Sequence, residues 1–330
     1  MNVDLALEPV VRALGETSDR VRFHEMISPI IADLCRDEGF IFDAIRRCLS
    51  NPAYLNLADS LALPVYDLGE LVCTIHLFVP IRDGARNITQ DNIHHHGWRL
   101  LSTGMLSGDG YDTIVFRRGS HEVRHDGGVR LEIDEVFHHT PGRIRFLGAH
   151  TAHVIFHPPR TCATLAIWSA DRSMINQSFK RRLTRFPRLR KATVRAARRL
   201  HIDGVLGINT IRGNYFHPEG GRIVEMRNYS KPHDGTRDEI LNCVFYFLQQ
   251  IGFDDFTFLK SILPDAPPEA ADLAKMLILG KPISDIGVWG DSRRRFTKTQ
   301  ILQALDHSVP GEHNFREPPL SIGSELGVRQ

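Results

Sequence analysis

This sequence predicts a mainly β fold with helical flanks, an α+β chain whose antiparallel barrel or sandwich lies between two helical regions. Three observations carry that expectation. From Tyr66 onward, short runs rich in β-branched residues recur, separated by Gly- and Pro-containing turns. Before about residue 62 and after about residue 236, apolar residues recur instead at spacings near three and four. Ten of the 17 histidines crowd into residues 94–157, inside the β-rich stretch.

Taken in order, Leu5 to Leu14, Phe23 to Asp37 and Phe40 to Leu49 read as amphipathic helices, and Asn51-Pro52 breaks the third. Leu71 to Val79 reads as the first long strand and ends at Pro80. Further strands are expected at 98–106, 111–118, 129–137, 143–147, 153–157 and 162–168, with turns at Gly108–Gly110, Gly127–Gly128, Pro141–Gly142 and Pro158–Pro159. A basic segment follows, then a hairpin whose arms, Asn214 to Phe216 and Arg222 to Met226, flank Pro218–Gly221. Thr236 with Glu239 three residues on forms a capping-box pattern and opens a helix to Ile251. Pro264 to Pro268 links it to Ala270–Leu279 and to a last helix at Thr297–Leu305, and the tail from Glu317 is expected to fray. These textures divide the chain into four regions. A helical region spans 1–62, the barrel 63–171, the basic segment and hairpin 172–235, and a second helical region 236–330.

The 330 residues can bury one generous core with a smaller satellite. With 42% hydrophobic and 24% charged residues, disordered and fibrous classes are excluded. No apolar run approaches the roughly 18–20 residues of a membrane span, so no membrane partner is expected. Met1 to Val10 lacks a basic n-region, and five scattered cysteines form no CxxC, which together point to a reduced, cytoplasmic protein. The sequons at Asn87, Asn176 and Asn228 carry no meaning there. Residues 179–199 hold ten Lys or Arg and no acid, while the rest of the chain has an excess of eight acidic residues. That stretch is expected to dock on acidic surface of the same molecule or of a second subunit, a homodimer being one outcome, and not on nucleic acid. Neither a GxGxxG opening a helix after a strand nor a P-loop is present.

The histidines suggest a metal. On a strand, side chains alternate between faces, so His94 and His96 share one face and His95 takes the other. Two imidazoles at i and i+2 can occupy adjacent positions on one ion, and His153, from another strand, is placed to be the third ligand. His150 is an alternative, and His121, His125, His138 and His139 lie in or near turns and read as surface groups.

These residues resemble the cupin superfamily over residues 66–170, about a third of the chain. The family's first motif is matched by His94-x-His96 and Gly108, but its acid position holds Leu101 or Leu100. The second is matched at Gly142 and His153, with Gly148, His150 and His157 standing where the family has Pro, Gly and Asn. The resemblance implies a double-stranded β-helix, or jelly-roll, barrel. Leucine cannot ligate, so the site is similar to the three-histidine iron centres of the cysteine- and cysteamine-type dioxygenases. Such a site implies Fe(II), O₂ as co-substrate and a small, chelating, anionic substrate such as a thiol, an amino acid or a related molecule. A 2-oxoglutarate-dependent enzyme would want Asp where His96 stands. The thiol dioxygenases' Ser-x-His-x-Tyr run would fall at Ala166–Ala170 and is absent, and their crosslinking cysteine would fall near Leu101. Proton handling then passes to His157 or Tyr111, and Arg82, Arg86 and Trp168 are candidates for binding the substrate. Zinc, nickel or manganese in an isomerase, lyase or hydrolase is the competing expectation, and a non-catalytic cupin that binds a small effector is a third.

Overall fold

The structure is a computed structural model and describes residues 2–58, 60–82, 88–170, 214–226, 235–288 and 295–306. The basic segment 179–199, Arg86 and the tail lie outside the described residues. Four helices come first: α1 (Val3–Glu16), α2 (Arg20–Leu34), α3 (Glu38–Leu49) and α4 (Pro52–Leu57). Asn2, Asp19, Asp37 and Asn51 cap them, each accepting hydrogen bonds from first-turn amides. Asn51-Pro52 therefore ends α3 and also starts α4, because proline at a first helical position gives up an amide that has no partner there anyway.

The strands are β1 (Ala62–Asp67), β2 (Leu71–Phe78), β3 (Ile93–His94), β4 (Arg99–Ser107), β5 (Tyr111–Phe116), β6 (Glu122–Val123), β7 (Val129–Arg130), β8 (Ile133–His139), β9 (Ile144–Leu147), β10 (His153–Ile155), β11 (Cys162–Ala170), β12 (Tyr215–Glu219) and β13 (Arg222–Met226). They form two antiparallel sheets, β1-β2-β11-β4-β9 and β13-β12-β3-β10-β5-β8, with β6-β7 as a small ribbon. From β2 to β5 and again from β8 to β12, successive strands alternate between the two sheets, as in a jelly roll, and the fold is a double-stranded β-helix with helices at both ends. Gly108, which turns β4 into β5, shows why the position needs glycine. Its φ is +92°, and a Cβ there would stand 2.5 Å from that of Cys162.

The remaining helices are α5 (Arg237–Gln250), α6 (Phe256–Ile262), α7 (Pro268–Ile278) and α8 (Lys298–Asp306). Thr236 and Glu239 close the expected capping box on α5. The main hydrophobic cluster joins Phe23, Ile27 and Phe40 of the first helices, Ile75 and Leu165 of the first sheet, and Phe245 and Phe247 of α5. It crosses the borders drawn at 62/63 and 235/236, so those borders mark changes of texture, not separate cores. The hairpin β12–β13, assigned with the basic segment, extends the second sheet by pairing Tyr215 with His94 and Phe216 with Ile93. Phe216 and Ile223 share a second cluster with Ile301 of α8, so the end of the described chain clamps the hairpin from outside. Among the described residues, no helix is long and apolar enough to cross a membrane.

Candidate metal centre

Between the two sheets lies a cavity of about 300 Å³. Strand alternation decides its lining. Val72, Thr74, His76 and Phe78 face it from β2, Arg99, Leu101 and Thr103 from β4, and Thr164, Ala166 and Trp168 from β11. The second sheet contributes Tyr111 and Thr113, His153 and Ile155, Phe137 and His139, together with His94 and Tyr215.

His94, His96 and His153 converge here, with one ring nitrogen of each lying within 4.8 Å of the others. His94 and His153 sit opposite each other on paired strands. β3 ends at His94, so His96 reaches the cavity from the turn at Gly97 and not from a strand. His94 Nδ1–H donates to the Asn92 carbonyl (2.8 Å) and His153 Nδ1–H to that of Thr151 (3.3 Å), which leaves each Nε2 lone pair free. The Nε2 atoms of His96 and His153 are 3.2 Å apart. Two imidazoles sharing one ion through bonds of about 2.0–2.1 Å would hold their nitrogens at about that separation. Burial, with His94 beside it, holds His153 well below its ordinary pKa, in the neutral form a ligand needs. The donor set fits a divalent transition metal. Of Leu101 and Leu100, the two residues at the acid position of the motif this chain resembles, Leu101 lines the cavity, so a leucine stands there in place of a carboxylate.

His95 and His150 stand apart from the cluster. The ring nitrogens of His95 lie against the amides of Gly97 (3.0 Å) and Asn214 (3.2 Å), and burial followed by the neighbouring histidines lowers its pKa to about 3. It secures the hairpin. His150, at φ +58° where the family has glycine, packs its ring against His95 and Trp98.

Other expected site residues are placed unevenly. Trp168 is in the cavity wall, edge-on to His96 at 4.5 Å between ring centres. Tyr111 also lines the cavity, buried and stacked on Phe78 at 4.0 Å. Burial raises its pKa well above the ordinary value, so its phenol can donate a hydrogen bond but cannot act as a base near neutrality. His157 does not line the cavity. β10 ends at Ile155, and beyond that point strand parity no longer governs direction. Its Nδ1–H donates to the Val79 carbonyl at 2.6 Å, and Arg295 contacts Nε2. Arg82 is likewise committed elsewhere, pairing with Glu239 of α5 at 3.3 Å and donating to the Ile286 carbonyl, because its chain segment pairs with Val288.

The cavity's cations are two other arginines. Arg99 has a buried Nε with no hydrogen-bond partner among the described residues, and burial lowers its pKa against the opposing field of Asp67. Arg145 donates to Glu135 (2.8 Å), with its guanidinium 3.9 Å over the Phe137 ring. Among the described residues, Asp91 is the one carboxylate in the lining. His139, expected on the surface, is 1% exposed and faces inward, with Nε2 3.0 Å from Thr103 Oγ1. Burial, with Arg145 nearby, brings its pKa to about 4, so the ring is neutral at pH 7. Strand parity would have found these groups, since Arg99, Leu101 and Thr103 alternate along one strand and Arg145 with Leu147 along another.

The fold and this centre define a double-stranded β-helix barrel with a three-histidine pocket. No protein-family model matches the chain, and no curated protein is similar to it. Among solved structures, it is similar to an uncharacterized conserved protein with a double-stranded β-helix domain from Klebsiella pneumoniae. The identity there is 11%, over 34% of this chain and 79% of that one, with a TM-score of 0.23. A cupin protein from Bacteroides fragilis is 17% identical over 36% of this chain and 85% of its own, with a TM-score of 0.24. A sugar phosphate isomerase from a cupin superfamily, from Silicibacter pomeroyi, is 12% identical over 36% of this chain and 62% of its own, with a TM-score of 0.23. Each likeness is confined to about a third of this chain.

Proposed function

We propose that the chain is a mononuclear non-haem iron(II) dioxygenase acting on a small, chelating, anionic substrate without 2-oxoglutarate. The observation that carries this is the convergence of three imidazoles on a cavity where the acid position of the motif it resembles holds leucine, Leu101 among the lining residues. His94, His96 and His153 would hold the ion. When bound, iron(II) would supply the redox chemistry by which O₂ oxidises the substrate. The protein supplies the rest. Arg99 keeps a buried Nε without a hydrogen-bond partner among the described residues, a donor for an anionic group in the cavity. Trp168 and Tyr215 wall the histidines, Tyr215 stacking on His94 at 5.4 Å. Tyr111 offers a hydroxyl donor, and His139, neutral at pH 7, lines the same cavity.

The second reading is a zinc enzyme with lyase, isomerase or hydrolytic chemistry, since three imidazoles also suit zinc. Anaerobic purification with metal analysis, followed by oxygen uptake on thiols, amino acids and phenols, separates the two. With ¹⁸O₂, two labelled oxygens in the product support dioxygenation. Turnover under strict anaerobiosis, or a requirement for an external reductant, would reject it.

A further inference from the structure

The barrel has a seam. β9 is the edge of the first sheet and β8 the edge of the second, and they face each other without being paired in one sheet. Side chains close the gap. Arg145 of β9 reaches across to Glu135 of β8 at 2.8 Å and lies over the Phe137 ring at 3.9 Å. Outside this closure is a second pocket, of about 280 Å³, edged by Arg118, Asp134 and Thr151. Phe137, Arg145 and Leu147 line both that pocket and the inner cavity, so the wall between them is one side chain thick. Swinging such a wall aside breaks no ladder hydrogen bond and needs only rotamer changes, which are fast. The ion pair that latches it is partly exposed, with side chains 22% and 48% accessible, and pairs of that kind are held weakly. Arg145 also keeps a buried Nε without a hydrogen-bond partner among the described residues, a donor still available to a ligand.

We propose that the β8–β9 seam is the access route to the cavity and that Arg145 is its anion-selective gate. An anion in the outer pocket competes with Glu135 for the guanidinium, draws it off the Phe137 ring and passes into the cavity beside it. The proposal rests on the cavity being the working site and is independent of which metal, if any, the histidines hold.

Trp168, which lines the cavity, is the reporter. In a Trp98→Phe, Trp289→Phe background it is the sole tryptophan, and its fluorescence is quenched with iodide, an anion, and with acrylamide, which is neutral. The metal-free protein is used, so failure of the dioxygenase reading leaves this test intact. Glu135→Gln is expected to raise the iodide quenching constant about two- to threefold, and Arg145→Gln to lower it by a similar factor, with acrylamide quenching changed by clearly less than iodide in Glu135→Gln and not lowered in Arg145→Gln. Thermal melts confirm that both variants are folded. Equal changes for the two quenchers, or none, would overturn the proposal. So would loss of iodide quenching in Arg99→Gln with retention in Arg145→Gln, which would place anion access at the other cavity arginine.

Discussion

His24, on the buried side of α2, faces the outer side of the first sheet, with Nδ1 2.7 Å from Ser102 Oγ and Nε2 2.9 Å from Ser169 Oγ. Burial, and then the Arg20 charge, lower its pKa from 6.5 to about 3. Between those values the unfolded chain carries a proton on this ring and the folded chain does not. Its contribution to stability is therefore complete above pH 6.5 and is lost as the pH falls toward 3. One such ring contributes a slope of at most about 1.4 kcal/mol per pH unit. Urea unfolding at pH 7, 6 and 5 should show a shallower slope in His24→Asn than in the parent, and parallel slopes would refute the assignment. At the metal centre, alanine at His94, His96 or His153 should abolish stoichiometric metal, measured by elemental analysis, whereas His95→Ala and His150→Ala should retain it. His95→Ala should still cost about 1–3 kcal/mol in denaturant unfolding, because the Gly97 and Asn214 amides lose the ring nitrogens beside them. Strand parity made the distinction between His94 and His95 legible in the sequence. Arg82 and His157 were misleading because loop partners and strand ends do not follow a period.

Among the elements, the β12–β13 hairpin has the widest consequences. It was recognisable from Pro218–Gly221 flanked by β-prone runs, yet nothing local could reveal that it joins the barrel. It pairs with the two-residue strand β3, whose last residue is His94, so the hairpin holds a ligand-bearing strand that has few ladder bonds of its own. Phe216, 1% exposed, anchors it. Phe216→Ala should cost about 3–5 kcal/mol of stability. Competition with a metallochromic chelator should also show weaker metal binding than in the parent. A variant destabilised by that amount with undiminished metal affinity would show that the hairpin does not position His94.

At the scale of the whole molecule, the apolar outer face of the first sheet is covered by helices from both ends of the chain. Leu63, Ile75, Leu165 and Ile167 pack with Phe23, Ile27, Phe245 and Phe247 in one cluster. The fragment 63–171 alone would leave that face bare. It is expected to aggregate or to lack dispersed amide shifts in an NMR spectrum, while the chain spanning both helical regions folds. A well-dispersed, monomeric fragment would contradict the shared core.

What the sequence determined by itself was whatever depends on local period and composition. That includes the helices at both ends, the capping box at Thr236, the long strands β2, β4, β5 and β11, and the grouping of His94 and His96 with His153, whereas β3 and the division of 129–137 into β7 and β8 were not legible. The tertiary structure alone decided which arginines meet the histidines, that His139 faces inward, that Tyr111 is buried and stays protonated, and that helices nearly 200 residues apart share a core. The physical reason is range. Backbone sterics and side-chain alternation act over a few residues and leave a periodic trace. The environment that sets a charge, a pKa or a partner is assembled from strands distant in the chain, and no period records which of them will face each other.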